Sequence, residues 1–302
     1  MGQAIIKPPA LKPGDTIGIA APASPFDREP FEQGIAVLES MGYQVTIPEN
    51  IFARCGYLAG SDHERAALLM DLFEDESIKA VFCARGGFGS IRLLSLLNFE
   101  TICRCPKIFV GFSDITTLLL GIYKRCGMVT FHGPLVTTLR HDSKETCSAL
   151  KGAVGSGQLL TFKPGKVLVL NPGKASGPVV GGNLTNLCHL MGTPFEPPFD
   201  RHLLFLEDRG EAPYRIDRML SQLGLGGVLN KIAGLILGSF EGCGPIEDVH
   251  EIVKQALGHT DVPIVAGFDF GHGMPNLTLP IGLKAELDAE EGILRFLESA
   301  TG

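Results

Sequence analysis

Four short segments of this chain place reactive side-chain types directly after apolar runs. The first is Gly111-Phe112-Ser113-Asp114-Ile115, which closes the run KIFVGF and opens a helical pattern. A Gly permits a sharp turn there, and a Ser on that turn stands at the strand's C-terminal edge, as the nucleophile of an elbow does. A helix start behind it offers unpaired N–H groups and a positive dipole end, both suited to a developing oxyanion. The same residues also read as an ordinary helix N-cap by Ser113 or Asp114. Ile115 breaks the G-x-S-x-G pattern, so this is not the usual α/β-hydrolase elbow.

The second segment, Arg85-Gly86-Gly87-Phe88-Gly89-Ser90, follows IKAVFCA. Its glycines let backbone approach a ligand closely, yet it matches neither a phosphate loop nor a dinucleotide fingerprint. On a parallel sheet it lies at the same edge as Ser113, where ligands bind; a tight strand-to-helix turn is the plainer alternative. The third, Leu206-Glu207-Asp208, ends LLFLE with a carboxylate able to orient an imidazole, although a surface acid is the commoner case, and Glu211 is close enough to be confused with it. The fourth, Gly271-His272-Gly273-Met274-Pro275-Asn276, places a histidine between glycines after VPIVAGFDF. A Ser, an acid and a His, each just past an apolar strand, suit nucleophilic acyl transfer, whose chain order varies between folds.

The elements that must position these groups alternate through the first half. TIGIAAP, YQVTI, IKAVFCA and KIFVGF read as strands. Helices are predicted from Phe31, Ile35, Leu38 and Met41, from the capping box of Ser61 and Glu64, and from IRLLSLL and DITTLLLGIYKRC. Strand–helix alternation predicts an α/β fold with a parallel sheet covered on both faces. From about 150 to 178 Gly, Lys and Pro become frequent and the helical period stops. The reading is an N-terminal nucleophile domain over 1–150, a linker with first strands over 151–175, and a second, mixed-sheet α/β domain over 176–302 that carries the acid and the His. There, strands are predicted at LLFLE, KIAGLILGSF and VPIVAGFDF. Helices are predicted near 183–191, 213–223 and 247–257, and a closing hairpin over LTLPIGLKAELDAEEGILRFLE.

Composition narrows the function class. A net charge of −7 gives no pull toward nucleic acid or anionic lipid. No apolar run is long enough to span a membrane, and MGQAIIKPPALKPGD lacks a secretory apolar core, so no membrane partner and a cytoplasmic location are expected. Eight scattered cysteines without a C-x-x-C pair read as reduced thiols, with no disulfide expected. The eight histidines show no metal spacing, and neither metal nor cofactor is expected.

ARGGFGSIRLL (84–94), GFSDITTLL (111–119), FHGP (131–134), GGNLTNLCHLMGTP (181–194), FLEDRGEAPYRIDRML (205–220) and FGHGMPNLTLPIG (270–282) together resemble the LD-carboxypeptidase family of serine peptidases. The likeness runs from about residue 13 to 290, with Phe88 standing where the family often has Tyr. It implies a metal-free homodimer in which Ser113, Glu207 and His272 act across a cleft between two domains. It further implies release of the terminal D-alanine from a cytoplasmic murein tetrapeptide during cell-wall recycling. Backbone N–H groups of Gly86 and Asp114 are then the expected oxyanion donors. Arg85 is a candidate for the substrate carboxylate, or else a loop-bound arginine, and Asn183 a substrate contact or a helix cap. A related branch of the family cleaves a microcin C-type peptidyl-nucleotide antibiotic, and a non-catalytic protein binding ligands in the cleft is the reading from another class.

Overall fold

The computed structural model describes residues 4–139, 143–258 and 260–302. Residues 1–3, the start of the segment read for a leader, lie outside them. The first half alternates strand and helix, adding α3, β5 and α5 to the elements the sequence predicts: β1 (Thr16–Ala20), α1 (Arg28–Ser40), β2 (Gln44–Thr46), α2 (Asp62–Glu74), β3 (Ile78–Cys83), α3 (Phe99–Arg104), β4 (Ile108–Gly111), α4 (Thr116–Cys126), β5 (Thr130–His132) and α5 (Lys144–Val154). The second half follows with β6 (Thr161–Phe162), β7 (Leu168–Asn171), β8 (Lys174–Asn183), α6 (Leu184–Leu190), β9 (Leu203–Arg209), α7 (Pro213–Leu225), β10 (Gly234–Glu241), α8 (Ile246–Leu257), β11 (Ile264–Ala266), β12 (Leu279–Ile281), β13 (Lys284–Asp288) and β14 (Ile293–Phe296).

Two sheets result. The first has the order β12-β5-β4-β3-β1-β2, parallel over β1 to β5, and the second β6-β14-β13-β8-β9-β10-β11-β7, with β8 to β11 parallel and the rest antiparallel. The α/β class, with one mostly parallel and one mixed sheet, is as the sequence predicts. Parallel strands need both faces covered, hence the largely apolar runs of β3, β4, β9 and β10.

The capping box forms as read: the Glu64 N–H donates to Ser61 Oγ at 3.3 Å, and the Ser61 N–H to Glu64 Oε2 at 2.8 Å. Helix α4 is buried all round through its middle, with Leu118, Leu119 and Leu120 all at 0% exposure, because it lies between elements of both halves; only Lys124 and Arg125 of its last turn reach solvent. Against it the Asn183 N–H, ending β8, donates to Thr116 Oγ1 at 3.1 Å.

Three expectations are corrected. IRLLSLL forms no α-helix: Ser90–Leu93 is one 3-10 turn, because the Ser90 side chain and N–H are tied to Asp114 while Asn98 caps the separate helix α3. The closing hairpin is only β13–β14. Its predicted first part, β12, leaves to pair antiparallel with β5 of the other sheet (Leu279↔His132), after which Gly282 at φ 90° turns the chain back. Cys103 and Cys126, read as reduced, form a disulfide, since the packing of α3 on α4 sets their Cα atoms 5.2 Å apart, a bridgeable distance that no sequence spacing announces.

Candidate active site

The C-terminal edge of the first sheet carries both loops singled out in its sequence. Ser113 stands just beyond β4, after Phe112, and adopts φ 63°, the left-handed region that costs a residue with a Cβ about 1–2 kcal/mol. Such a conformation persists only where its surroundings enforce it. Here Asp114 supplies the anchor. Its buried carboxylate accepts the Ser90 N–H at 2.8 Å, and its carbonyl accepts the Ser90 hydroxyl at 2.5 Å. Burial pushes the Asp114 carboxyl up from its ordinary pKa, and the hydrogen bonds from Ser90 partly offset that. The side chain of Ser113 is not a helix cap: its Oγ lies 3.2 Å from His272 Nε2.

Gly86 packs against that turn. A Cβ built on it would stand 3.1 Å from Ser113 Cβ and 3.3 Å from Ser113 Oγ, so only Gly leaves the hydroxyl accessible. Neither the Gly86 nor the Asp114 backbone N–H donates to a protein acceptor among the described residues. Buried Arg65 of α2 braces the loop from below, donating through Nη1 to the Gly89 carbonyl at 3.0 Å.

The other half delivers the acid and the imidazole. Glu207 lies near the end of β9, fully buried, and its Oε2 is 2.7 Å from His272 Nδ1. Burial raises the Glu207 pKa, while the hydrogen bond from His272 pulls against that rise. With a carboxylate on Nδ1, that nitrogen carries the proton, and Nε2 is left to accept from Ser113. His272 sits in the 267–278 connection, which leaves β11 of the second sheet and enters β12 of the first. That crossing brings residues 159 and 65 positions apart into one hydrogen-bonded line. Gly271, at φ 104°, has no room for a side chain because Glu207 occupies the space. Phe112 meets the His272 ring edge-on at 4.9 Å.

A cleft of about 300 Å³ opens over Ser113 and His272, lined also by Arg85, Gly86, Arg209, Met274 and Asn276. Arg85 lines it while donating through Nη1 to the Pro25 carbonyl at 2.6 Å, so it is loop-bound as well as cleft-facing. Asn183 is 4% exposed and does not line the cleft. Its Oδ1 accepts the Asn186 N–H at 3.1 Å as a cap of α6, and its Nδ2 donates to Asp208 Oδ1 at 2.9 Å. Among the described residues no cluster of His, Cys, Asp or Glu is arranged to hold a metal.

Sequence profiles of the LD-carboxypeptidase N-terminal and C-terminal domains match residues 17–133 and 176–287. The chain belongs to the LD-carboxypeptidase family. A probable murein peptide carboxypeptidase of Bacillus subtilis is 40% identical over 294 residues, 94% of this chain and 92% of that one. A solved muramoyltetrapeptide carboxypeptidase from Oxalobacter formigenes superposes with a TM-score of 0.84 at 32% identity, covering 93% and 97% of the two chains. The microcin C7 self-immunity protein MccF of Escherichia coli is 29% identical over 92% of each chain. A structure of MccF in complex with glutamyl sulfamoyl guanosine gives a TM-score of 0.92 at 26% identity, over 98% and 99% of the chains.

Within this LD-carboxypeptidase fold, four residues at the site escape a reading of the sequence. Ser90 and the Asp114 side chain act on backbone, which no motif reveals. Arg209 shares a face of β9 with Glu207, two residues on, and that alternation was the signal available. Asn276 stands beside His272 in sequence, but only the fold turns it into the cleft.

Proposed function

We propose that this chain is a serine peptidase that hydrolyses the L,D-peptide bond releasing the terminal D-alanine of a murein tetrapeptide. The observation that carries this is the line from Glu207 Oε2 through His272 to Ser113 Oγ, with spacings of 2.7 and 3.2 Å, at the floor of a cleft. Ser113 attacks the carbonyl before the terminal residue as His272 Nε2 takes its proton, and the imidazolium then protonates the leaving amine. Glu207 holds the reactive tautomer and stabilises the imidazolium. The backbone N–H groups of Gly86 and Asp114 receive the oxyanion; one such donor is typically worth about 3 kcal/mol. Water, activated by the same histidine, releases the acyl group and regenerates Ser113.

Murein peptide is favoured over a peptidyl-nucleotide by the 40% identity to a probable murein peptide carboxypeptidase, against 29% to MccF. The superposition on MccF keeps the second substrate class in the test. Incubation with murein tetrapeptide, followed by mass spectrometry, should show loss of one alanine. Ser113→Ala and His272→Ala should each lower that rate by about 10⁴-fold or more while remaining folded. Wild-type-like turnover by Ser113→Ala rules out the mechanism, cleavage of a peptidyl-nucleotide alone transfers the assignment to the antibiotic-degrading branch, and binding without turnover of either leaves a cleft-binding protein.

A further inference from the structure

We infer that Asn276 and Arg209 form a clamp for the free carboxylate of the residue that leaves on hydrolysis. The inference rests on the peptidase reading above and adds the group that recognises the substrate's end.

Asn276 is 4% exposed and held from two sides: its Oδ1 accepts the Gly271 N–H at 3.0 Å, and its own N–H donates to Thr146 Oγ1 at 3.1 Å. Because Oδ1 must face the Gly271 N–H, the amide has one orientation, and Nδ2 is the end left over. Among the described residues Nδ2 has no acceptor, although Asn276 lines the cleft with Ser113 and His272. A buried, unpartnered amide donor is uncommon and costly, and an acceptor supplied by the substrate resolves it. Arg209 also lines this cleft. Its Nε faces Glu241 Oε2 at 3.3 Å, and its two Nη groups have no acceptor among the described residues.

The polarity of the reaction decides which end these donors meet. The oxyanion points to Gly86 and Asp114, whereas His272 protonates the departing amine, so the leaving residue lies on the His272 side. Its α-carboxylate is two bonds from that amine. Asn276 is bonded to Gly271, the neighbour of His272, and Arg209 extends β9 past Glu207, the partner of His272. An amide N–H and a guanidinium there offer the charge-assisted pairing a carboxylate takes. Arg85, the other cation of the cleft, is joined to Gly86 on the opposite side and spends Nη1 on the Pro25 carbonyl. An internal peptide bond would present a neutral amide to the clamp, which limits the enzyme to chain ends.

The test compares the tetrapeptide with its C-terminal amide, alongside fluorophosphonate labelling of Ser113 as a readout of the triad that needs no peptide. Wild type should favour the acid by about 100-fold in kcat/KM. Arg209→Gln, and Asn276→Asp (which keeps the acceptor for Gly271), should each cut turnover of the acid at least about 10-fold, chiefly through KM. Turnover of the amide should stay within about threefold, and labelling should be unchanged. Equal losses on acid and amide, or a wild type indifferent to the carboxylate, overturn the clamp and leave the peptidase standing. A wild type that is labelled yet cleaves neither peptide overturns the peptidase reading, and the clamp with it.

Discussion

His132 lies one strand away from Ser113 (Gly111↔His132) with no exposure, its ring 5.8 Å from Phe112 and 4.9 Å from Phe205. Neither ring nitrogen has a hydrogen-bond partner among the described residues. Burial, assisted by the neighbouring His272, lowers its pKa from 6.5 to about 3. The folded protein therefore holds this ring neutral where the unfolded chain would protonate it. Stability is fully present above about 6.5 and is lost as pH falls toward about 3, at up to about 1.4 kcal/mol per pH unit. His132→Leu replaces an unpaired polar ring with apolar bulk, so its stability at pH 7 should equal or exceed wild type. Urea unfolding at pH 7, 6, 5 and 4 should show the variant gaining on wild type at each step down. A constant difference across that series would mean the imidazole is not kept neutral by the fold.

Elements set the register of the site through a few close approaches. Strand β10 passes under the His272 connection at Gly238, where a Cβ would meet the Phe270 carbonyl at 2.5 Å, the Phe205 ring at 2.9 Å and Glu207 Cβ at 3.3 Å. The Ser239 N–H donates to that same Phe270 carbonyl at 2.9 Å, locking the start of the connection. Gly238→Ala should therefore lift the 267–278 segment off β10 and lengthen the Ser113–His272 contact. Activity should drop by about 100-fold, with a stability loss of about 1–3 kcal/mol, measured by tetrapeptide turnover beside thermal unfolding. Unchanged kcat/KM in a destabilised protein would show that Gly238 serves packing alone. The strands that lead to Ser113 and carry Glu207 were legible because apolar runs end there, and short-range periodicity writes such runs directly; VPIVAGFDF is a strand only over Ile264–Ala266, so His272 follows in a connection and not at a strand end. What stayed hidden depends on which distant elements meet. IRLLSLL carries a helical pattern overridden by the Ser90–Asp114 bonds, β12 reads as part of a hairpin until β5 claims it, and the Cys103–Cys126 pairing follows from the packing of α3 on α4.

At the scale of the whole chain, the two sheets share their interior. Helix α4 is buried on both flanks, β8 docks on its first turn through the Asn183 N–H and Thr116 Oγ1, and β12 carries the second half's chain into the first half's sheet. Gly182 permits that docking, since a Cβ there would stand 2.7 Å from Thr116 Oγ1. Separating the halves would uncover the face of α4 that meets α6 and β8, and each apolar side chain so exposed forfeits about 1.5–3 kcal/mol of burial. With one core shared between the two sheets, the chain should unfold as one cooperative unit. The sequence contains no Trp, so the measurement pairs far-UV circular dichroism with hydrogen exchange of amides in β3–β4 and in β9–β10. All three transitions, and the loss of peptidase activity, should fall at one denaturant concentration. Because Ser113 comes from one sheet and Glu207 and His272 reach it from the other, the proposed mechanism makes activity the most sensitive reporter of their contact. Activity vanishing before either sheet's amides exchange would mean that the halves part while still folded, and that the shared interior does not hold them together.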